Sequence, residues 1–171
     1  LDFHDVTLVG VINADISLSV ADFRSGEYTF ELLSQVAGRA GRGQKKGNVV
    51  IQTFNPEHYA IQMASRHEYE LFYQTDMMFR HKLKYPPFSY MSSITVLCEK
   101  ADQACILADK IYDYIKDNKE FELLGPSLPY IFKENEKIRM KILIKSKNRN
   151  LIIETLNNVN KEFNKEAKER K

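Results

Sequence analysis

Gln35, Arg39 and Arg42 carry the chemistry that this sequence advertises first. They sit in Gln35-Val36-Ala37-Gly38-Arg39-Ala40-Gly41-Arg42, at steps of four and three. That spacing sets all three in one stripe if the segment is helical. An arginine presents a planar, permanently charged fork that matches phosphate oxygens, and a glycine lets another surface approach the backbone. Gly38 and Gly41 each cost a helix about 1 kcal/mol relative to alanine, which a purely structural helix has little reason to accept. The combination suits contact with a polyanion at short range. The competing reading is a frayed helix end, with Gly43 as its stop signal and the arginines facing water.

The elements needed to position this stripe are legible nearby. Val6 to Ile12 is an almost unbroken apolar run, as expected of a buried parallel strand. Residues Asp15 to Asp22 read as a loop, Glu27 to Arg42 as a helix, residues 43–47 as a turn, and Asn48 to Phe54 as a second strand. Strand, helix, strand is a βαβ unit of a parallel sheet. Asn55-Pro56-Glu57 has the form of a helix start, with Asn55 as cap. A helix to about Arg66 is expected, then another from Glu68 to Lys84 with Leu71, Phe72, Met78, Phe79 and Leu83 as buried candidates. Tyr85-Pro86-Pro87 must end it, and reads as a rigid interdomain connection in preference to a binding site.

Beyond the prolines the pattern changes. Residues 91–98 alternate, Ala101 to Lys116 has helical periodicity, and Phe121 to Leu124 forms a short strand stopped by Gly125-Pro126. A polar loop with aromatic Tyr130 and Phe132 spans 127–136. Ile138 to Lys145 alternates cleanly, and a last helix is striped by Leu151, Ile152, Thr155, Leu156, Val159 and Phe163. The order β-α-β-β-α implies two helices on one face of a mostly antiparallel sheet. Lys137, Arg139, Lys141 and Lys145 share the opposite face of one strand. Neighbours there are about 7 Å apart, near the phosphate spacing of a single strand. That face is a candidate surface for DNA or for an acidic peptide, or simply an exposed sheet face made soluble by lysine.

Composition constrains the remainder. The chain has 171 residues, 43% hydrophobic and 28% charged, with a net charge of +2. Charge is unevenly placed: residues 133–171 hold 12 basic and 6 acidic side chains, whereas the preceding part is net acidic. No apolar run reaches the ~18 residues of a membrane span. Cys98 and Cys105 form no C-x-x-C pair, so two reduced, partly buried thiols are expected. His4, His58, His67 and His81 make neither a triad nor a metal spacing. No G-x-x-x-x-G-K-[ST] is present: Gly38 and Gly43 have the right separation, but Gln44 and Lys45 follow in the wrong register. No two acidic residues are adjacent, so a Walker B Asp-Glu pair is absent as well.

Gln35 to Arg42 resembles motif VI of superfamily 2 helicases, the Q-x-x-G-R-x-G-R element of the second RecA-like lobe. With Leu1-Asp2-Phe3, Val6 to Val11, Asn13 to Asp15, Asp22-Phe23-Arg24 with Glu27, Val49 to Thr53 and Tyr85 to Phe88, the chain is similar to the primosomal protein N′ (PriA) family of replication-restart DNA helicases over residues 1 to about 145. The resemblance implies the C-terminal part of a longer bacterial, cytoplasmic protein. Residues 1–60 would be the end of RecA-like lobe 2, 61–88 a helical linker, and 89–171 a ferredoxin-like α+β domain similar to a small-subunit ribosomal protein. Arg39 and Arg42 would be arginine fingers reaching the γ-phosphate of ATP, with Gln35, Gly38 and Asp2 as further nucleotide-binding residues. Asp2 would match the acid of motif V, and a turn residue is the alternative; Asp15 reads equally as a strand-end cap. ATP and Mg²⁺ would be held by the longer protein, leaving this chain without hydrolysis of its own. Family members carry a cysteine-rich zinc segment whose cysteines this chain lacks. Forked or single-stranded DNA, single-stranded DNA-binding protein and other primosome proteins are the implied partners, with no membrane. A stand-alone nucleic-acid-binding or scaffold module is the alternative.

Overall fold

Residues 6–38, 40 and 47–169 are described in the computed structural model, with side chains described to residue 163. The chain divides into two compact units, Leu1–Phe79 and Arg80–Lys171.

In the first unit, β1 (Leu8–Val11) and β2 (Asn48–Ile51) pair in parallel, with Leu8 opposite Asn48 and Val11 opposite Ile51. Between them lie α1 (Asp15–Leu18), where a loop was expected, and α2 (Ser25–Ala37). Asp15 explains the short helix: its carboxylate accepts hydrogen bonds from the Thr53 hydroxyl at 3.0 Å and the Phe54 amide at 2.9 Å. It thereby ties the chain leaving β1 to the chain leaving β2, the strand-end cap anticipated for it. These bonds, the Phe54 amide first, hold its carboxyl below the usual aspartate range.

Helix α3 (Tyr59–Ser65) is capped by His58, whose Nδ1 accepts from the Ala60 amide at 3.2 Å. Asn55, the expected cap, instead closes a turn by accepting the His58 amide through its carbonyl. Phe30 and Leu33 of α2 meet Ala60, Ile61 and Ala64 of α3 and Phe72 of α4 (Tyr69–Lys82) in one core. Phe30 stacks on Phe72 with ring centroids 4.1 Å apart. Of the five apolar residues expected to be buried between Glu68 and Lys84, only Phe72 is; Leu71, Met78, Phe79 and Leu83 are exposed, and Leu83 lies beyond the end of α4. The buried stripe runs Phe72, Asp76, Arg80, at helical steps of four. A polar residue takes the middle place because the Tyr59 hydroxyl donates to Asp76 at 2.8 Å, which an apolar periodicity cannot reveal.

The second unit holds β3 (Tyr90–Cys98), α5 (Ala101–Ile115), β4 (Glu122–Ser127), β5 (Lys133–Glu134), β6 (Lys137–Ser146) and α6 (Arg149–Glu169). Its sheet has the order β3-β6-β4, with β5 also on β6 and every pairing antiparallel. Strands β3 and β4 are therefore parallel to each other with β6 inserted between them, the split βαβ arrangement of an α+β domain. Val96, Met140, Ile142 and Ile144 point into a core closed by Ala104, Ala108, Ile111 and Ile115 of α5 and Ile152 and Val159 of α6. Asn148 accepts the Leu151 amide at 3.2 Å and so caps α6.

Two details depart from the sequence expectation. Gly125-Pro126 does not stop β4, which continues to Ser127 with a register shift after Leu124. Gly125 has φ +103°, and a β-carbon there would lie 2.6 Å from the Lys141 carbonyl oxygen, so glycine is the residue that lets β4 stay on β6. The loop 127–136 is not uniformly polar. It contains β5, joined to β6 by Asn135 and Glu136, both with positive φ as a tight hairpin turn requires.

Candidate functional site

Helix α2 presents the first candidate site. Phe30 and Leu33 anchor one face in the core, which leaves Tyr28, Leu32 and Gln35 outward. Gln35 is exposed in the last turn, and its side chain makes no hydrogen bond among the described residues. Gly38 caps the helix, its amide donating to the Ser34 carbonyl at 3.1 Å. A β-carbon at Gly38 would meet nothing closer than the Ser34 carbonyl oxygen at 3.6 Å, so contacts of the described chain do not require glycine there. Asp2, Arg39 and Arg42 lie outside the described residues. Thus α2 aims an exposed amide at solvent and ends at the head of the Gly-Arg-Ala-Gly-Arg stretch, while the stripe is described only through Gln35 and Gly38.

The second candidate is the outer face of β6. Partner residues in antiparallel strands project to the same side, so the face opposite the core carries Leu97 beside Arg139 and Thr95 beside Lys141. Lys137 is exposed and stands opposite Glu134. Arg139 is half-buried and pairs with Glu134 at 3.0 Å. For Lys137 and Lys141 no ion pair is found among the described residues.

Lys145 does not belong to this surface. Only 4% of it is exposed; its Nζ donates to the Leu83 carbonyl and to Glu122, each at 3.0 Å, and lies 4.4 Å from the centre of the Tyr85 ring. Lys84 pairs with the same carboxylate at 3.0 Å. The hydrogen bonds from Lys145 and then Lys84 hold the Glu122 carboxyl below its ordinary value. The lysine alternates correctly with Lys141, but the segment before β3 folds over that end of the strand and consumes its charge.

Strand alternation gave no sign of two other features. Leu128, Tyr130, Ile131 and Phe132 are all exposed on the loop after β4, Tyr130 by 88%. A cavity of about 300 Å³ opens beside Lys84, Phe88, Lys119, Phe121 and Lys147. Both arise from chain segments remote in sequence or lacking periodicity.

Cys98 is half-buried, which pushes its thiol up, and Cys105 is exposed on the outward side of α5, not partly buried as expected. Among the described residues no three His, Cys, Asp or Glu side chains gather closely enough to hold a metal ion, so zinc finds no fitting donor set there. Nor is any helix of the described residues long and apolar enough to cross a membrane.

Comparison with known proteins gives a consistent family. The family described as the primosomal protein N C-terminal domain matches residues 81–171. Replication restart protein PriA of Bacillus subtilis is 41% identical over 172 residues, covering 99% of this chain and 21% of the relative. The protein of that name from Borreliella burgdorferi is 38% identical, covering 91% of this chain and 24% of its own length. That of Synechocystis is 38% identical, covering 85% and 18%. The chain therefore spans about a fifth of the length of these relatives.

Proposed function

This chain belongs to the primosomal protein N C-terminal domain family, and we propose that it forms the C-terminal part of an ATP-dependent DNA helicase acting in replication restart and primosome assembly at stalled forks. The relatives' shared name, replication restart protein PriA, supports the restart role. The helicase role is carried by one observation: a parallel β1-α2-β2 unit whose helix ends on an exposed Gln35 and Gly38, at the head of a motif VI-like sequence. In this reading the chain to about residue 60 is the end of RecA-like lobe 2, residues 61–88 are a helical linker, and residues 89–171 are a ferredoxin-like domain.

Arg39 and Arg42 would stabilise the negative charge that spreads over the γ-phosphoryl oxygens of ATP, the substrate, as the bond to the leaving diphosphate lengthens. Gln35 would hydrogen-bond the same phosphate or a positioned water, and Asp2 would link nucleotide to DNA contacts. The phosphate-cradling loop and the Mg²⁺-binding acids belong to the longer protein, so this chain supplies one wall of a composite site. Lys137, Arg139 and Lys141 would meet forked or single-stranded DNA, or the acidic tail of single-stranded DNA-binding protein, in the bacterial cytoplasm.

DNA-stimulated ATP hydrolysis by the longer protein tests this. Arg39→Ala and Arg42→Ala are each expected to abolish most turnover, about a thousandfold or more for a finger arginine, with ATP still bound. Retained turnover would favour a nucleic-acid-binding or scaffold module in which the arginines grip the polyanion directly.

A further inference from the structure

We propose that the outer face of the β3-β6-β4 sheet, with the loop that borders it, is a base-stacking platform that selects single-stranded over duplex nucleic acid. It rests on the reading that the basic face of β6 engages nucleic acid, and it names what that face adds.

Three observations carry it. The loop after β4 holds Leu128, Tyr130, Ile131 and Phe132, all exposed, with no core of their own among the described residues. Apolar side chains stay in water only at a cost, and four exposed ones within five residues suit a contact surface. Second, Phe132 is fixed to the basic strand. The Arg139 amide donates to its carbonyl at 2.7 Å, and the β5–β6 register sets Lys133 opposite Ile138, hence Phe132 opposite Arg139 and on the same side of the sheet. Third, charge on this face is sorted. Arg139 is neutralised by Glu134, whereas no ion pair is found among the described residues for Lys137 or Lys141.

Aromatic rings beside unneutralised lysines suit a strand whose bases are unstacked. Rings take base faces irrespective of sequence, and ammonium groups track the phosphates. In a duplex the bases are stacked on one another, leaving their faces out of reach, so Tyr130 and Phe132 add nothing to duplex binding. Lys137 and Lys141 are four residues apart on an extended strand, about 13 Å, a span of two nucleotides of single strand.

Fluorescence anisotropy of the full chain with labelled oligothymidylate, the matching abasic oligonucleotide and a duplex of equal length tests the proposal. Tyr130→Ala and Phe132→Ala should each weaken oligothymidylate binding about tenfold, leave the abasic and duplex affinities unchanged, and leave the salt slope unchanged. Tyr130→Phe should restore binding. Lys141→Ala should lower affinity for all three probes and reduce the salt slope by about one. Tyr130 is so exposed that its loss should not disturb folding, which far-ultraviolet circular dichroism checks. Unchanged oligothymidylate affinity in both aromatic variants overturns the stacking platform and points to an apolar protein partner for the loop. Equal losses on every probe overturn it too. Absence of any salt-dependent binding by the unaltered chain overturns the basic-face reading beneath it.

Discussion

Lys145 shows how one residue's meaning is settled by neighbours distant in sequence. Its ammonium, 4% exposed as a residue, is held by the Leu83 carbonyl, the Glu122 carboxylate and the Tyr85 ring. Lys145→Met keeps the volume and removes the charge, which leaves the Leu83 carbonyl without its donor and the Glu122 carboxylate with Lys84 alone. A loss of about 2 kcal/mol in urea unfolding is expected. Lys84→Ala should cost far less, because that lysine's side chain is 68% exposed and its pairing is screened. The Glu122 carboxyl is held below its ordinary value of 4.5 in the folded chain. Its contribution is therefore complete above about pH 4.5 and is lost as pH falls through the lowered folded value. That acid limb should shrink in Lys145→Met; an unchanged limb would show that other carboxylates carry it. Gly125 is the second residue whose identity the fold dictates. Gly125→Ala meets both a left-handed backbone and the Lys141 carbonyl, and should lower the unfolding midpoint by the equivalent of about 2 kcal/mol or more.

At the level of elements, periodicity located nearly every helix and strand, and failed where polar groups do the positioning. Helix α5 is the favourable case: the helical periodicity of Ala101 to Lys116 predicts one apolar stripe, and Ala104, Ala108, Ile111 and Ile115 are buried with Leu107 partly so, since one apolar stripe has one core to meet. Helix α4 is the opposite case, because Asp76 is buried through its bond to Tyr59. Helix α3 was assigned the wrong cap, since His58 is an uncommon capping residue and Asn55 a common one. The His58 cap works only with a lone pair on Nδ1. Burial, partly offset by Asp15, holds its imidazole below the ordinary histidine value of 6.5. The neutral form is thus favoured by folding, so the cap's contribution is complete above about pH 6.5 and fades as pH falls through the folded value. His58→Asn should keep α3 and remove that dependence, measured as unfolding midpoints between pH 5 and 8 at about half-unit steps. A dependence that survives the substitution assigns it elsewhere.

For the whole molecule, the two units differ in what holds them. The second has a four-stranded sheet closed on one face by two helices, whereas the described residues of the first have a two-stranded sheet with α1, α2, α3 and α4 contributing to a smaller apolar cluster. A two-stranded sheet has little stability of its own. Hydrogen exchange should therefore be slowest in β6, paired on both edges, and faster throughout β1 and β2; slower exchange in β1 than in β6 would reverse the assignment. The 171-residue chain by itself should release no phosphate from ATP above buffer, because a motif VI-like arginine pair has no phosphate cradle in this sequence to act on. Measurable release would mean that a second nucleotide-binding arrangement exists within it.

The sequence alone determined the parallel βαβ order, the mostly antiparallel α+β arrangement beyond the prolines, and the family, because each depends on local periodicity or on short motifs that survive without a structure. It also set Gln35 within a helix and Lys137, Arg139 and Lys141 on one face of a strand. Only the tertiary structure decided which of those lysines face solvent and which is spent internally, that Asp76 lies inside, and that Phe132 shares a face with Arg139. Those outcomes depend on contacts between segments far apart in the chain, and a period of 2 or 3.6 residues carries no information about what lies across the space it faces.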